Sequence, residues 1–187
     1  MNELWRELVW PVIEGSDFTT VVDLAAGHGR NTAKLLPLAQ RLYVVDLHEE
    51  NIAVCRQRFG DDPWRHYLVN NGVDLAGVPD DAVSLVYSFD AMVHFDSDVV
   101  RGYLRETRRV LRPGGRGFFH HSNYIGNSGG FVDGGGNAGP GHRNFMHQAL
   151  FAHYAAKEGL RVLRQHVIDW NHHPALDCLT LLERPAG

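Results

Sequence analysis

The feature of this sequence that most constrains its fold is a buried strand that runs directly into a turn of small residues and then into a helix. Residues 19–25, TTVVDLA, are mostly β-branched and apolar, which predicts a strand covered on both faces. Ala-Gly-His-Gly follows at 26–29, and helical spacing begins at Arg30. The backbone of such a turn can approach a ligand closely, and the N–H groups that begin the helix favour a carboxylate or phosphate. The turn therefore predicts a ligand-binding loop at one edge of a sheet.

The rest of the chain alternates between strand and helix patterns, which is typical of a largely parallel sheet covered on both faces. Apolar and β-branched runs predict further strands at 41–46, 65–69, 83–89, 117–121, 160–168 and 176–183. Apolar residues at helical spacing predict helices at 1–15, 30–38, 49–59, 97–111 and 144–159. The prediction is an α/β three-layer sandwich with a seven-stranded, mostly parallel sheet and an antiparallel C-terminal hairpin. A length of 187 residues fits a single domain.

Composition argues against several classes of partner. The net charge of −4 disfavours a general nucleic-acid binder, whose phosphate contacts need a cationic face. No apolar run is long enough to span a bilayer, so no membrane partner is expected. Cys55 and Cys178 lie far apart and form no CxxC pair, which favours a reducing compartment and predicts a cytoplasmic protein. The oligomeric state stays open.

An acidic residue at the end of the second predicted strand indicates a nucleoside ligand. Asp46 follows Gly29 by seventeen positions. A carboxylate at that place can accept hydrogen bonds from both ribose hydroxyls, or it can cap the next helix. The dinucleotide pattern G-x-G-x-x-G is absent, because Thr32 stands where a third glycine would follow Gly27 and Gly29. No lysine stands where a P-loop needs one, which also disfavours a nucleoside triphosphate.

Four segments, in order, resemble the class I S-adenosylmethionine-dependent methyltransferases. VVDLAAGHGRNTAKL is similar to their first motif, an acid followed by a Gly-x-Gly turn, and VVDLHEE is similar to their second motif. NNGVDLAGVPDDAVSLVYSFDAMVHF resembles their adenine-binding and fourth-strand region, and RETRRVLRPGGRGFF resembles the helix and strand that follow. The resemblance covers residues 19–121. It implies a Rossmann-like fold, S-adenosylmethionine as the cofactor and S-adenosylhomocysteine as the product.

The resemblance also implies which positions bind the cofactor. In chain order these are Asp23, Ala25, Gly27, Gly29, Asp46, Leu47, Asn71, Gly72, Val73, Ser88 and Phe89. The glycine loop would contact the methionine part, Asp46 the ribose, Leu47 and the segment 71–73 the adenine, and the segment 88–89 the methyl-donor side. The family often has Gly at position 25 and Asp at position 71, so this chain departs from its pattern at Ala25 and Asn71.

Histidines after the fourth and fifth predicted strands are the candidate catalytic bases, because histidine titrates near neutrality and can take a proton from a hydroxyl acceptor. Successive strand residues point to opposite faces, so only one of His120 and His121 can face the substrate. The position nearer the carboxyl edge predicts His121 as the base, with His120 packed against a helix. His94 is a second candidate, either for catalysis or for a structural contact with the fifth strand.

The segment 122–143 is dense in glycine and has no periodicity, which predicts either a loop near the substrate site or a flexible insertion. Within it, Asn123, His142 and Arg143 are candidate acceptor-binding residues. A metal site is not predicted, because adjacent histidines rarely ligate the same ion and neither HxH nor HxxxH spacing occurs.

The predicted function is S-adenosylmethionine-dependent methylation of a small molecule. O-methylation of a hydroxyl on a metabolite or sugar is preferred, because the substrate side is rich in His and Asn and poor in the aromatic cage expected for a cationic amine. N-methylation of a small amine and S-adenosylmethionine binding without catalysis are the alternatives.

Overall fold

In a computed structural model, which describes residues 3–126 and 142–187, seven strands form one sheet. The strands are β1 (Thr20–Leu24), β2 (Arg41–Asp46), β3 (Arg65–Val69), β4 (Val83–Ser88), β5 (Leu111–Ser122), β6 (Arg161–Trp170) and β7 (His173–Glu183). Across the sheet their order is β3-β2-β1-β4-β5-β7-β6. Strands β1 to β5 run parallel to one another, and β7 is antiparallel to both of its neighbours. The predicted α/β architecture with an antiparallel C-terminal hairpin is confirmed.

Helices cover both faces of the sheet. The N-terminal segment is a π-helical turn, Trp5–Val9, that continues into α1 (Trp10–Ile13). The other α-helices are α2 (Thr32–Leu35), α3 (Glu49–Phe59), α4 (Ser97–Val110) and α5 (Gln148–Lys157). Buried residues of the N-terminal segment, α2 and α3 pack into one core cluster, and those of α4 and α5 into a second. Within the described ranges, every helix is too short or too polar to cross a membrane.

The strand order places a crevice where a ligand can bind. The chain passes outward from β1 to β2 and β3, then returns to place β4 on the other side of β1. Loops that leave the carboxyl ends of β1 and β4 therefore run in opposite directions, and open α/β sheets bind ligands at such a switch point. The turn of small residues after β1 lies at this edge.

Several predicted boundaries differ from the structure, most clearly in three elements. The helix predicted at 30–38 is only the four-residue α2, followed by a turn in which Leu38 N–H donates to Leu35 O at 3.0 Å. The helix predicted at 144–159 is the shorter α5, whose start is capped by the His147 side chain. The fifth strand begins at Leu111, well before its predicted start at 117, because the Pro-Gly-Gly segment pairs with Arg184 through bonds at Gly114 and Gly115.

Residues 127–141, most of the predicted glycine-rich loop, lie outside the described residues. The single-domain organisation over 1–187 stays a prediction.

Candidate functional site

A cavity of about 490 Å³ lies at the carboxyl ends of the strands, within the range of roughly 300–1,000 Å³ typical of small-ligand sites. Its lining consists of Leu24, Ala25, Gly27, Asp46, Leu47, His48, Asn51, Asn70, Gly72, Asp90, Ala91, His94, Phe95, Asp96, Val99 and Tyr103. A separate cavity of about 380 Å³ is lined by Thr19, Thr20, Gln40, Arg41 and Trp64. That second cavity lies at the amino ends of β1 and β2, the edge opposite the switch point, so the first cavity is the candidate site.

The turn after β1 has left-handed backbone at three positions. The φ angle is +58° at Ala25, +54° at Gly27 and +78° at Gly29. Glycine adopts this conformation freely, whereas alanine at position 25 costs about 1–2 kcal/mol. A Cβ at Gly27 would meet no atom within 4 Å, but one at Gly29 would lie 2.4 Å from the Phe59 ring. Gly27 therefore leaves room at the cavity wall, and Gly29 lets the loop pack against α3.

The Asp46 carboxylate ties the glycine loop to the start of α3. It accepts hydrogen bonds from the backbone N–H of Gly27 at 2.8 Å and of His48 at 2.9 Å, and from Asn51 Nδ2 at 2.9 Å. The side chain is thereby fixed at the cavity wall. Since a carboxylate offers about four lone-pair directions, it keeps an acceptor position for a ligand hydroxyl.

Asp23 lies beneath the loop rather than on the cavity wall. It is 1% exposed, and its Oδ2 accepts a 2.5 Å hydrogen bond from the Thr32 hydroxyl. Burial raises the pKa of Asp23 to about 7, and the nearby negative charge of Asp46 adds to that rise. Asp23 therefore holds the loop from below as a carboxyl group that can carry a proton near neutral pH.

The segment after β4 forms the opposite wall. Asp90 has a φ of +62°, its Oδ2 pairs with Arg30 Nη2 at 2.8 Å, and its backbone N–H donates to His120 Nδ1 at 3.2 Å. His94 Nδ1 lies 2.6 Å from the carbonyl oxygen of His142. Partial burial lowers the pKa of His94 below its ordinary value, because desolvation disfavours the imidazolium form.

Comparison with known proteins identifies the family. Residues 21–115 match the model of the methyltransferase domain family. The chain belongs to this methyltransferase family. A curated demethylmenaquinone methyltransferase from Clavibacter sepedonicus is 29% identical over 117 residues, 62% of this chain and 46% of that protein. The methyltransferase AacuQ from Aspergillus aculeatus is 30% identical over 103 residues, 54% of this chain and 31% of that protein. The chain thus spans less than half the length of these curated relatives.

The fold of the methyltransferase domain also occurs in a solved structure. The S-adenosylmethionine-dependent methyltransferase from Mesorhizobium loti superposes with a TM-score of 0.73 at 19% identity, covering 94% of this chain and 97% of that one. The predicted family and its Rossmann-like fold are confirmed. The S-adenosylmethionine dependence of the Mesorhizobium loti protein agrees with the predicted cofactor.

The residues present fit this cofactor. The cavity combines open space at Gly27 with a fixed carboxylate at Asp46, which suits a ribose beside a close backbone approach. The Ser88 hydroxyl is fully buried and has no hydrogen-bond partner among the described residues. A buried polar group of this kind is costly unless something bonds to it, and a ligand group can fill that place.

The structure brings six of the predicted site residues to the cavity wall, namely Ala25, Gly27, Asp46, Leu47, Gly72 and His94. Asp23, Gly29, Ser88 and Phe89 lie outside that lining, and Phe89 packs on His120 at 4.7 Å between ring centroids. Asn71 and Val73 also lie outside the lining, although the prediction placed both of them against the adenine. Asn71 folds its side chain into a turn with the backbone N–H groups of Val73 and Asp74, and the preceding Asn70 lines the cavity instead.

The prediction that His121 faces the substrate is wrong in its orientation. The His121 ring is fully buried on the α5 side, stacked on Phe151 at 4.0 Å, with its nitrogens bonded to Ser122 O and Thr180 Oγ1. Burial lowers the pKa of His121 to about 3. The alternation along β5 instead turns His120 toward Phe89 and Trp170. His120, predicted to pack against a helix, is the one that contacts the wall after β4.

The three predicted acceptor-binding residues have protein partners instead. Asn123 donates to Ala175 O and accepts from Gln148 N–H, so it anchors the start of α5. Arg143 is 1% exposed and bonds Asp177 through Nε at 2.7 Å and Nη2 at 2.9 Å. His142 contributes its carbonyl oxygen to His94. None of the three lines the cavity, so a role in acceptor binding stays a prediction that these contacts do not support.

Several residues of the cavity wall were not predicted from the sequence. Tyr103 follows the apolar stripe of α4, yet its hydroxyl accepts a hydrogen bond from Asn70 Nδ2 at 2.9 Å at the cavity. Asn51 sits in a polar stretch of α3 with no distinguishing pattern. The one available signal was Asp90, an acid two residues after the end of β4 in the SFDAMVHF segment. Over the described ranges, no three His, Cys, Asp or Glu residues are grouped closely enough to hold a metal ion.

The two glycines of the loop predict separable effects. Gly29→Ala is expected to lower the free energy of unfolding by more than the roughly 1–2 kcal/mol of a left-handed alanine, because the new Cβ also meets the Phe59 ring. Gly27→Ala has a comparable φ and open space, so it should show the backbone cost alone and weaken S-adenosylhomocysteine binding. Urea unfolding and calorimetric titration of both variants check this. Equal stabilities would contradict the packing role assigned to Gly29.

Proposed function

We propose that the chain transfers the methyl group of S-adenosylmethionine to a hydroxyl group of a small molecule, with His94 as the general base. The observation that carries this proposal is the 2.6 Å contact between His94 Nδ1 and the carbonyl oxygen of His142. A carbonyl oxygen only accepts hydrogen bonds, so Nδ1 carries the proton and Nε2 is left with its lone pair. His94 lines the cavity, and Nε2 has no hydrogen-bond partner among the described residues.

The protonation state of His94 suits a base. Desolvation lowers its pKa below the ordinary value of 6.5, so the ring is neutral at neutral pH. A hydroxyl acceptor must lose a proton as its oxygen is methylated, and a lone pair at Nε2 can receive it. The bound cofactor supplies an already activated sulfonium methyl group. The chain's own residues hold that cofactor, orient the acceptor and take the proton.

A small acceptor is supported by the shape of the site and by a relative. The cavity is concave and of small-ligand size. The Clavibacter sepedonicus relative is named for demethylmenaquinone as its acceptor. The net charge of −4 supports an acceptor other than nucleic acid. The two cysteines are free and buried, which supports a reducing, cytoplasmic location.

The carboxylates at the cavity bear on the alternative, N-methylation of an amine. Asp46, Asp90 and Asp96 could together attract a cationic amine. All three carboxylates already have protein partners, however. Asp90 pairs with Arg30, and Asp96 caps α4 by accepting from Asp98 N–H at 2.9 Å. A hydroxyl acceptor is therefore favoured over a cationic amine, and methyl transfer itself distinguishes both from a protein that only binds the cofactor.

His94→Gln tests the proposed base. Glutamine keeps a hydrogen-bonding side chain but has no basic nitrogen, so the turnover of a hydroxyl acceptor is expected to fall by about 10²–10⁴-fold. S-adenosylhomocysteine affinity should change little. The assay follows a labelled methyl group into a panel of hydroxylated small molecules, with matched amines alongside. Transfer to amines only, with His94→Gln as active as the parent chain, would replace the proposal by N-methylation.

The pH dependence gives a second check on the same role. A base must be unprotonated, so kcat/KM should be constant near neutrality and fall as the pH drops through the lowered pKa of His94, below 6.5. In His94→Gln that acidic limb should disappear. A limb that persists unchanged in the variant would assign the titration to another group.

A further inference from the structure

A buried network of charged and neutral side chains lies behind the wall that carries His94 and Asp90. Its members are His120, Arg143 and Asp177, each at most 1% exposed. Arg143 bonds the Asp177 carboxylate through two nitrogens at 2.7 and 2.9 Å, and His120 Nε2 lies 3.0 Å from Asp177 Oδ2. None of the three lines the cavity, so none is placed to touch the cofactor there.

The hydrogen-bond partners fix the tautomer of His120. The backbone N–H of Asp90 can only donate, so the Nδ1 atom that it contacts at 3.2 Å must be the acceptor. Nε2 then carries the proton and donates a hydrogen bond to the Asp177 carboxylate. His120 is therefore a neutral bridge between Asp177 on β7 and the Asp90 peptide, which has a left-handed φ of +62° at the cavity wall.

The second arm of the network reaches His94. Arg143 Nη1 donates to the carbonyl oxygen of His142 at 3.0 Å, and His94 Nδ1 donates to the same oxygen at 2.6 Å. Two further bonds join the same segments, from Asn144 Nδ2 to His94 O at 2.7 Å and from Asn144 N–H to Val93 O at 3.3 Å. The ion pair with Asp177 thus holds the carbonyl group that decides which nitrogen of His94 carries its proton.

Stability alone does not account for such a network. Taking a carboxylate and a guanidinium out of water costs several kcal/mol per ion, and an apolar pair of the same volume is often equally stable or more stable. The charged pair contributes a defined geometry, because the planar guanidinium and carboxylate fix both the distance and the orientation of the groups that they bond.

We infer that Asp177 is a positioning residue for the methyl-transfer site: through Arg143 and His120 it fixes the His142 carbonyl and the Asp90 peptide, and so keeps His94, at the cavity wall, in the tautomer whose Nε2 is unprotonated. The inference rests on the proposed role of His94. The tautomer of His94 in the free protein can be measured without any acceptor or turnover.

The experiment is long-range ¹H–¹⁵N correlation NMR of the histidine rings at a pH where they are neutral. In the parent chain, His94 should show one protonated nitrogen, Nδ1, and one unprotonated nitrogen, Nε2. The test variant is Arg143→Met with Asp177→Asn, which removes both buried charges yet leaves position 177 an acceptor for His120. The two ¹⁵N shifts of His94 should then move toward their mean, because the ring samples both tautomers.

A matched control separates positioning from general loosening of the fold. Thr180→Val removes an equally buried hydrogen bond to a histidine, His121, on the opposite face of the sheet. This variant should leave the His94 shifts unchanged. An unchanged His94 spectrum in the folded double variant overturns the inference. Absence of methyl transfer to hydroxyls, with the tautomer behaving as described, would instead count against the proposed function alone.

Discussion

Asp177→Ala is expected to lower the free energy of unfolding by about 3–5 kcal/mol, since it leaves a buried guanidinium without its counter-charge. Arg143 is 1% exposed and directs two nitrogens at the Asp177 carboxylate. Although burial by itself would raise the pKa of Asp177, the hydrogen bonds from His120 and Arg143 hold that pKa below its ordinary value. The native state is therefore built around the ionised form.

Chemical denaturation near neutral pH measures this effect, with Asp17→Ala as the matched control. Asp17 also pairs with an arginine, Arg112, but both side chains are nearly half exposed. Exposed pairs contribute about 0–1 kcal/mol, and Asp17 also accepts a 2.7 Å hydrogen bond from Thr19 N–H worth about 1 kcal/mol, so the control should cost at most about 2 kcal/mol. If the two variants lose the same free energy of unfolding, the charge of Arg143 is stabilised by other groups and the network is not essential to the fold.

Asp23→Asn is expected to stabilise the fold above neutral pH while weakening cofactor binding. Burial raises the pKa of Asp23 to about 7 in the folded chain, from 3.8. Between these two values the folded state binds a proton that the unfolded state has released. The contribution of Asp23 to stability therefore falls as the pH rises through this range and is level above it. Removing that penalty should add up to about 4 kcal/mol at alkaline pH, at about 1.4 kcal/mol per pKa unit.

The measurement is the free energy of unfolding of both chains across the range from mild acid to mild alkali. The difference in unfolding free energy between Asp23→Asn and the parent should grow as the pH rises from about 4 to about 7 and then stay constant, because groups such as His121 titrate alike in both chains. S-adenosylhomocysteine affinity measured on the same samples should fall in the variant, because a charge beneath the glycine loop is lost. A variant that is less stable than the parent at alkaline pH would mean that the ionised Asp23 is satisfied by the fold.

The sheet was predictable because its strands are local apolar runs, and both the loop after β1 and Asp46 carry recognisable spacing. The backbone at Ala25 was less predictable. A left-handed alanine breaks the local preference, and only its place in the turn explains it. The start of β5 was missed for a related reason, since Pro-Gly-Gly signals an end to regular structure until Arg184 pairs with it.

The choice between His120 and His121 shows where sequence reasoning ends. Alternation requires the two rings to point to opposite faces, and both residues follow the same apolar run. What decides between them is the position of Phe151 on one side and of Trp170 and Phe89 on the other. These contacts join distant segments, as do the bonds from Arg143 to Asp177 and from His94 to His142. No local pattern encodes them.

The central claim is that the cavity beside Asp46 binds S-adenosylmethionine, and calorimetric titration with S-adenosylhomocysteine tests it most directly. We predict saturable one-to-one binding, no binding of NAD, and affinity at least about tenfold weaker in Asp46→Ala, the equivalent of roughly 1.4 kcal/mol. A folded chain that binds neither compound, or one whose affinity is unchanged in Asp46→Ala, would contradict the account.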